Sequence, residues 1–191
     1  MADMVRKNTM MLAAAAAFCA GLFVGLLTAT LTRPPEQAPR PAAAAPAEDA
    51  ELARLERAVR AAPQDAAAWA ALGNLYFDRH QPAEAVRAYE SSLAIKPNDP
   101  DVLTDLGTMY RHLDEFDKAL SLFRRASALD PQHHQSVFNQ GVVLFFDLKQ
   151  EAEALRIWDG LARARPDYIA PSGEKLADMV KKYARQSSGK P

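Results

Sequence analysis

The chain has 191 residues, of which 25% are charged and 49% hydrophobic, a composition typical of one globular domain with additional segments. Lysine and arginine number 23 and aspartate and glutamate 24, so the formal net charge is -1. This balance argues against nucleic-acid binding, which needs a clustered basic surface. The single cysteine, Cys19, excludes an intrachain disulfide.

The first predicted element is a membrane-spanning helix over residues 10–31. This run of 22 residues carries no charge, and at about 1.5 Å per residue it exceeds the roughly 30 Å hydrocarbon core of a bilayer. Arg6 and Lys7 precede it, whereas Glu36 dilutes Arg33 after it, so the positive-inside bias favours a cytoplasmic tail over residues 1–9. Abundant alanine, arginine and proline suggest a bacterial source. We therefore expect a single-pass inner-membrane signal anchor with a periplasmic domain; the alternative is a cytoplasmic domain.

Two other interpretations of this segment are a cleavable signal peptide and a lipoprotein signal. The apolar core of a signal peptide is usually about 7–15 residues, shorter than this run, and no small-x-small cleavage site ends the run before Arg33. Phe18 precedes Cys19 at a position where a lipoprotein signal needs a small residue. Both observations favour the uncleaved anchor.

Two glycines inside the anchor raise the question of self-association. Gly21 and Gly25 form a Gly-x-x-x-Gly step, which allows two membrane helices to approach closely. The spacing indicates a possible homodimer. The alternative is an alanine-rich helix in which two glycines fall four apart by chance.

Residues 32–47 are predicted to be a linker. The stretch from residue 33 to residue 47 contains five prolines. Because proline removes backbone donors and restricts φ, we expect an extended, semi-rigid spacer without a helix, which holds the folded domain clear of the membrane.

The domain from residue 48 onward contains a pattern with a period of 34 residues. Gly73, Gly107 and Gly141 mark the first half of three units. In the second half a small residue, an aromatic residue, a second small or apolar residue and a proline recur: Ala85, Tyr89, Ser92 and Pro97; Ala119, Phe123, Ala126 and Pro131; Ala154, Trp158, Leu161 and Pro166. The pattern resembles the tetratricopeptide repeat between Ala66 and Pro166. The resemblance implies an all-α, right-handed superhelical solenoid of three helix-turn-helix repeats.

The residue types fit two antiparallel helices in each unit. The glycines permit close approach of the second helix, the alanines supply the small residues that face them, and the prolines end the second helix. The third unit departs from the pattern, because Gln140 replaces leucine and Leu144 replaces tyrosine. Gly141 to Ala154 is also 13 residues, against 12 in the other units. We expect the extra residue in the turn near residues 148–150.

The predicted boundaries follow from this register. Residues 48–65 form an N-terminal capping helix, over Glu51–Ala62, that resembles the second helix of a missing repeat. The three repeats occupy residues 66–99, 100–133 and 134–168. Residues 169–185 form a C-terminal capping helix with Ser172 as its N-cap and Glu174 in its first turn, and residues 186–191 are a disordered tail.

In the family, the first helices of the repeats line a concave groove. By analogy, the predicted partner-binding residues are Asn74, Phe77, Asp78, Thr104, Thr108, Arg111, His112, Phe138, Val142 and Phe145, with Phe146 beside them. The middle is polar and the last part apolar, which suits an extended or helical peptide with apolar anchors. Alternatively, Phe145 or Phe146 packs against the C-terminal cap. Asn74 matches one position of the family's Lys/Asn/Arg carboxylate clamp, but the lysines are absent.

Other chemistry has little support in the sequence. His133 and His134 are adjacent, without a cysteine or acidic cluster to complete a metal site. No phosphate-binding glycine loop or nucleophile elbow is present, and acidic pairs such as Glu151 and Glu153 fit turns or solvated helix faces. We therefore expect neither cofactor nor metal, and no enzymatic activity.

The sequence thus predicts a membrane-tethered scaffold that binds a polypeptide in its concave groove. The architecture resembles membrane-anchored periplasmic tetratricopeptide proteins of cytochrome c biogenesis, which hold apocytochrome polypeptides for haem ligation. A scaffold for another envelope complex, such as a secretion, pilus or cell-wall assembly, is the alternative. An enzyme would require a deep pocket with converging polar groups.

Overall fold

The computed structural model describes residues 44–188. The predicted cytoplasmic tail (residues 1–9), the predicted membrane helix and its glycine pair lie outside the described residues, as does most of the predicted linker. The described residues from Ala47 onward form one compact unit. Between residues 44 and 188, no helix combines the length and apolar character needed to cross a bilayer.

The described part of the chain is all-helical, which confirms the predicted class for these residues. Helices that are consecutive in sequence pack against each other in space. The α-helices are α1 (Ala44–Ala61), α2 (Ala66–Asp78), α3 (Pro82–Ile95), α4 (Pro100–His112), α5 (Phe116–Leu129), α6 (His134–Val142), α7 (Glu151–Ala164) and α8 (Leu176–Ser188). The pairs α2–α3, α4–α5 and α6–α7 are the three repeats.

The repeat glycines allow the two helices of each pair to touch. A Cβ placed on Gly73 would lie 2.5 Å from the Tyr89 ring, and one on Gly107 would lie 2.7 Å from the Phe123 ring. At Gly141 the nearest atom is Trp158 Nε1, at 2.2 Å. The predicted close approach is therefore confirmed, but the group over each glycine is the aromatic ring. The alanine assignment was wrong on this point, since the ring four residues later reaches the glycine first.

The turn inside each repeat is the same. His80, Asp114 and Lys149 each adopt a left-handed conformation, with φ between 57° and 59°. In the first two repeats the following residue donates back across the turn, from Gln81 N to Tyr76 O and from Glu115 N to Tyr110 O, at 2.9 Å. This closure satisfies carbonyls that the end of a helix would otherwise leave unpaired.

The extra residue of the third repeat lies in the helix and not in the turn. Residues Val143–Asp147 form a π-helical extension of α6, in which Leu148 N donates to Val143 O at 2.9 Å. Gln150 N then reaches Leu144 O, one residue further than its counterparts. The prediction for residues 148–150 was wrong, because widening one helical turn absorbs the insertion while the left-handed turn residue is retained.

The N-terminal cap packs as predicted but begins earlier. Leu55 and Val59 of α1 are buried against Leu72 and Ala88, which covers the open face of the first repeat. Helix α1 starts at Ala44, inside the segment predicted to be a helix-free linker. The difference has a simple cause, since the first turn of a helix has unpaired N–H groups and tolerates proline.

The C-terminal cap differs from its prediction at both ends. Helix α8 begins at Leu176 and continues to Ser188, so Ser172 is not its N-cap and the predicted tail is helical through residue 188. Gly173, with φ +80°, makes a tight turn, and Ala170 N donates to Glu174 O at 2.9 Å. This extended pairing occupies the residues that the sequence assigned to the first helical turn.

Candidate functional site

Two cavities run along the face between α2 and α4. The larger, of about 340 Å³, is lined by Ala66, Ala67, Ala70, Ala71, Asn74, Ser92, Lys96, Asp99, Asp101, Val102 and Asp105. The smaller, of about 250 Å³, is lined by Asn74, Phe77, Asp78, Tyr89 and Asp105. The two share Asn74 and Asp105, so they adjoin each other, and we call them together the α2–α4 groove or channel. The short alanine side chains of α2 give the channel its depth.

Asn74 is held in the groove by the core of the repeat. The Tyr89 hydroxyl donates to Asn74 Oδ1 at 2.8 Å. Tyr89 is only 1% exposed, and burial together with the charges of Asp105 and Asp78 raises the pKa of its hydroxyl. The hydroxyl is thus a neutral donor that fixes an exposed amide at the groove surface.

Asp105 carries the most perturbed carboxyl of the groove. Burial, with the neighbouring carboxylates of Asp101, Asp99 and Asp78, raises its pKa to about 6, against a smaller opposing effect of His133. Among the described residues, no hydrogen bond or ion pair joins Asp105 or Asp78 to a partner. The groove therefore contains two unpaired acidic groups, one of them partly desolvated, which is costly unless a partner arrives.

The predicted cation of the groove is already occupied. Arg111 donates from Nε to Asp147 Oδ2 at 2.5 Å and from Nη2 to Asp147 Oδ1 at 3.2 Å. This two-point contact joins α4 to the π-helical extension, and Asp147 is only 14% exposed in its side chain. Arg111 is therefore not available to bind a carboxylate while this pair is intact.

Two predicted groove residues lie in the core instead. Thr104 is 1% exposed and donates from Oγ1 to Pro100 O at 2.8 Å. Phe138 is 7% exposed and stacks on Trp158 at a centroid distance of 5.8 Å. Their groove assignments were wrong, because Thr104 is buried on its helix and the segment leading into α8 covers Phe138.

The remaining predicted residues reach the surface to different degrees. Asn74, Asp78 and His112 are exposed, whereas Phe77, Thr108, Arg111, Val142 and Phe145 are half-buried. Thr108 donates from Oγ1 to Thr104 O at 3.0 Å. Phe77 and His112 also line a separate cavity of about 230 Å³ with His80, Pro82 and Met109. The structure thus brings Asn74, Phe77 and Asp78 together around Asp105.

The apolar end of the predicted groove packs against the C-terminal cap. The ring centroids of Phe145 and Phe146 lie 4.8 Å and 5.6 Å from that of Tyr183 on α8. Phe145 also contacts Trp158 at 5.6 Å, whereas Phe146 remains 40% exposed. Both aromatics therefore contact the cap, and Phe146 keeps an accessible face.

Sequence reasoning missed the acidic side of the groove. Asp101 and Asp105 were not assigned to it, although Asp101, Asp105, Thr108 and His112 follow the spacing of a single helix face. The positions on that polar face of α4, considered together with the helix's apolar stripe, identify these carboxylates. The alanines of α2 give no such signal, because their role is to leave space.

The adjacent histidines have separate partners. His133 Nε2 lies 3.0 Å from Asp101 Oδ1, and the His133 Nδ1 accepts from Ser136 N at 3.3 Å at the start of α6. His134 packs edge-on against Tyr168. In residues 44–188 no three His, Cys, Asp or Glu side chains are grouped to hold a metal ion.

Comparisons with known proteins match the repeat, and one relative is named for cytochrome c biogenesis. Residues 64–132 match the tetratricopeptide repeat family model. The chain is 31% identical over 120 residues to the cytochrome c-type biogenesis protein CycH of Pseudomonas aeruginosa. That alignment covers 60% of this chain but only 29% of CycH, so the chain spans less than a third of this relative.

Solved structures share the fold at low sequence identity. MamA has a TM-score of 0.62 at 19% identity, with 74% of this chain and 86% of MamA covered. The first tetratricopeptide domain of Spaghetti (RPAP3), solved with the HSP90 peptide SRMEEVD, has a TM-score of 0.58 at 21% identity, with 66% and 98% covered. A tetratricopeptide repeat protein from Parabacteroides merdae has a TM-score of 0.64 at 18% identity, with 74% and 54% covered. Together with the repeat geometry, these matches show that residues 64–132 are tetratricopeptide repeats and that the described residues share the fold of tetratricopeptide repeat proteins.

Proposed function

We propose that this chain is a non-catalytic, membrane-tethered scaffold that holds a segment of a partner polypeptide in the α2–α4 groove. The observation that carries the proposal is the groove itself. It is a channel between α2 and α4, the first helices of the first two repeats. Alanines form its floor, and it contains the ordered Asn74 amide and unpaired carboxylates. Stacked repeats commonly present such an extended concave surface to a partner. Peptide binding by the Spaghetti (RPAP3) domain shows that this fold accommodates a short segment.

The pathway that best fits the chain is cytochrome c maturation. The support is the similarity to CycH over 120 residues, together with the arrangement of a hydrophobic N-terminal segment ahead of a repeat domain. Under this proposal residues 10–31 anchor the chain in a bacterial inner membrane and the repeats face the periplasm. The partner segment would then belong to an apocytochrome polypeptide.

A scaffold for another envelope assembly is the second candidate. It is favoured by the small share of CycH that the chain covers, because function is only loosely tied to a common fold. A secretion, pilus or cell-wall complex would use the same groove with a different segment. The two candidates therefore differ in the identity of the bound polypeptide and not in the binding site.

Site-specific photo-crosslinking in native membranes tests the proposal. A benzoylphenylalanine at Ala67 or Asp101 places the probe in the groove, and one at Ala128 places it on the exposed face of α5 as a matched control. We expect a polypeptide adduct from the two groove positions only. Adduct peptides containing Cys-x-x-Cys-His would support the cytochrome reading, and peptides from an envelope assembly would support the second candidate. Equal adducts from Ala128, or none from the groove, would contradict the proposal.

A further inference from the structure

We propose that the α2–α4 groove selects a partner segment that carries a lysine or arginine side chain, which enters the channel between Asn74 and Asp105. This inference rests on the proposed function, because it names the chemistry of the segment that the scaffold holds. Its basis is the charge balance of the whole groove, the shape of the channel and the contrast with a known peptide complex.

The basic side chains within reach of the groove already have acidic partners. Lys96 Nζ lies 2.9 Å from Asp99 Oδ2, and His133 Nε2 lies 3.0 Å from Asp101 Oδ1. Further along, Arg111 is held by Asp147 through two contacts. Lys96, His133 and Arg111 therefore already have acidic partners of their own and are not free to balance a carboxylate of a partner segment.

The groove also contains carboxylates that have no basic partner. Asp78 and Asp105 line the smaller cavity without an ion-pair partner among the described residues. A guanidinium or ammonium group placed between them would gain attraction from both and would relieve their mutual repulsion. Charge complementarity thus points to a cationic side chain as the occupant.

The shape of the channel suits a long basic side chain. The alanines of α2 and the ring of Phe77 provide an apolar wall for the methylene stem, and the charged end can reach the carboxylates, as lysine and arginine stems commonly do. The Asn74 amide, fixed by the Tyr89 hydroxyl, lies at the same point. The groove therefore combines an apolar path with a polar end.

The solved complex of the Spaghetti (RPAP3) domain contains the peptide SRMEEVD, which carries three acidic residues and a terminal carboxylate. A groove that holds such a peptide needs positive groups to balance it. The α2–α4 groove presents the opposite sign, so we expect the opposite preference. This contrast also provides the peptide probes for a test.

The experiment compares three labelled peptides on the full-length chain in detergent micelles. They are based on SRMEEVD with its arginine replaced by glutamine: the acidic SQMEEVD, the amide SQMQQVQ without charged side chains and the basic amide SQMKKVK, each labelled on its N-terminus, and fluorescence anisotropy gives each Kd. We expect the basic peptide to bind about tenfold more tightly than the neutral one, the equivalent of about 1.4 kcal/mol, with the acidic peptide weakest. Raising the salt from about 0.05 M to about 0.3 M should reduce the difference, because part of the groove is solvent-exposed.

Groove variants assign the preference to named residues. Asp78→Asn and Asp105→Asn should each weaken the basic peptide several-fold and leave the neutral peptide unchanged. Asp117→Asn makes the same charge change on exposed α5 and should alter neither. Ala67→Trp fills the channel and should weaken all peptides. Because removal of an unpaired, partly buried charge does not threaten folding, loss of binding by Asp105→Asn reports on the groove.

The outcomes separate this inference from the proposed function. If all three peptides bind equally and Ala67→Trp abolishes their binding, the groove binds segments but the basic preference is wrong. If no peptide binds, or if the acidic one binds best, the inference is overturned. An adduct from Ala67 in membranes that forms equally in the Asp105→Asn background keeps the scaffold proposal and rejects the cationic occupant.

Discussion

At the scale of single residues, glycine and aspartate show the two ways in which a side chain determines this molecule. The repeat glycines act through the space they leave, since aromatic rings fill it. Asp105 acts through its carboxylate, which has no partner among the described residues. Burial raises the pKa of this carboxyl group. The first kind of role is readable from a repeated position. The second depends on what surrounds the residue.

The glycine role predicts an asymmetric response to alanine. Gly107→Ala should destabilise the domain by roughly 1–3 kcal/mol, because the new Cβ would lie 2.7 Å from the buried Phe123 ring and overpacking exceeds the gain in helix propensity. The matched control is Gly160→Ala on α7, where nothing lies within 4 Å and a gain of about 0.5–1 kcal/mol is expected. Urea unfolding followed by circular dichroism measures both. Equal effects at the two sites would refute this account.

Asp105 predicts a pH dependence with a definite sign. Its pKa is raised from 3.8 to about 6 in the folded state, so the folded state binds the proton more tightly than the unfolded chain does. The destabilisation is therefore complete above pH of about 6 and disappears as the pH falls toward 4. After discounting for partial exposure, Asp105→Asn should be more stable than wild type at pH 7 by on the order of 1 kcal/mol.

The measurement is the urea midpoint of both proteins between pH 4.5 and pH 7.5, roughly spanning the shifted titration. The advantage of Asp105→Asn should shrink as the pH falls, because protonated wild type is also neutral at this site. Taking the difference between the two proteins removes the contributions of other titrating groups. A difference that is independent of pH would show that the carboxylate has an ordinary pKa.

At the scale of elements, the third repeat shows how a helix accommodates one extra residue. The left-handed turn residue occurs at His80, Asp114 and Lys149 alike, so the turn is conserved between repeats and the helix before it is not. The π-helical extension Val143–Asp147 also carries Asp147 to its contact with Arg111. A local change in helix geometry thereby pairs Arg111, the arginine of the predicted groove, with Asp147, so that it is not available to a partner.

Deletion of one residue from this extension tests the assignment. Deleting Phe146 should convert the π-helical turn to a regular helical turn and cost less than about 2 kcal/mol, because most helical positions outside the extension keep their register. Deleting Met109 from regular α4 should be far more destructive, since it rotates the buried face of the helix by about 100°. Thermal unfolding of the two deletions gives the comparison. Similar losses would mean that the extension is needed as it stands.

At the scale of the whole molecule, the repeat stack depends on its two covers. Helix α1 covers the first repeat through Leu55 and Val59. Helix α8 covers the last through Leu176 and Met179, which pack beside Trp158. A repeat array exposes an apolar face wherever it ends, so each end requires such a cover.

Removal of the C-terminal cap predicts loss of solubility. A chain truncated after Pro171 lacks α8 and uncovers the cluster of Phe138, Trp158 and Leu161. We expect strong binding of a hydrophobic dye and self-association, with the transition midpoint lowered by several degrees. Truncation after Ala184 keeps Leu176, Met179 and Tyr183 and should behave almost as wild type. Size-exclusion chromatography distinguishes the two, and a monomeric truncation after Pro171 would contradict the role of α8.

The repeat period, the all-helical class, the close helix pairs and the need for capping helices follow from the amino-acid pattern alone, because glycine, aromatic and proline positions recur at fixed spacing. Other features depend on which residues folding brings together. Folding placed the extra residue in the helix and buried Thr104, and contacts between residues far apart in the chain cover Phe138 and pair Arg111 with Asp147. It also brought Asp78 and Asp105 to one channel, and a charge becomes unpaired only when folding fixes which groups surround it.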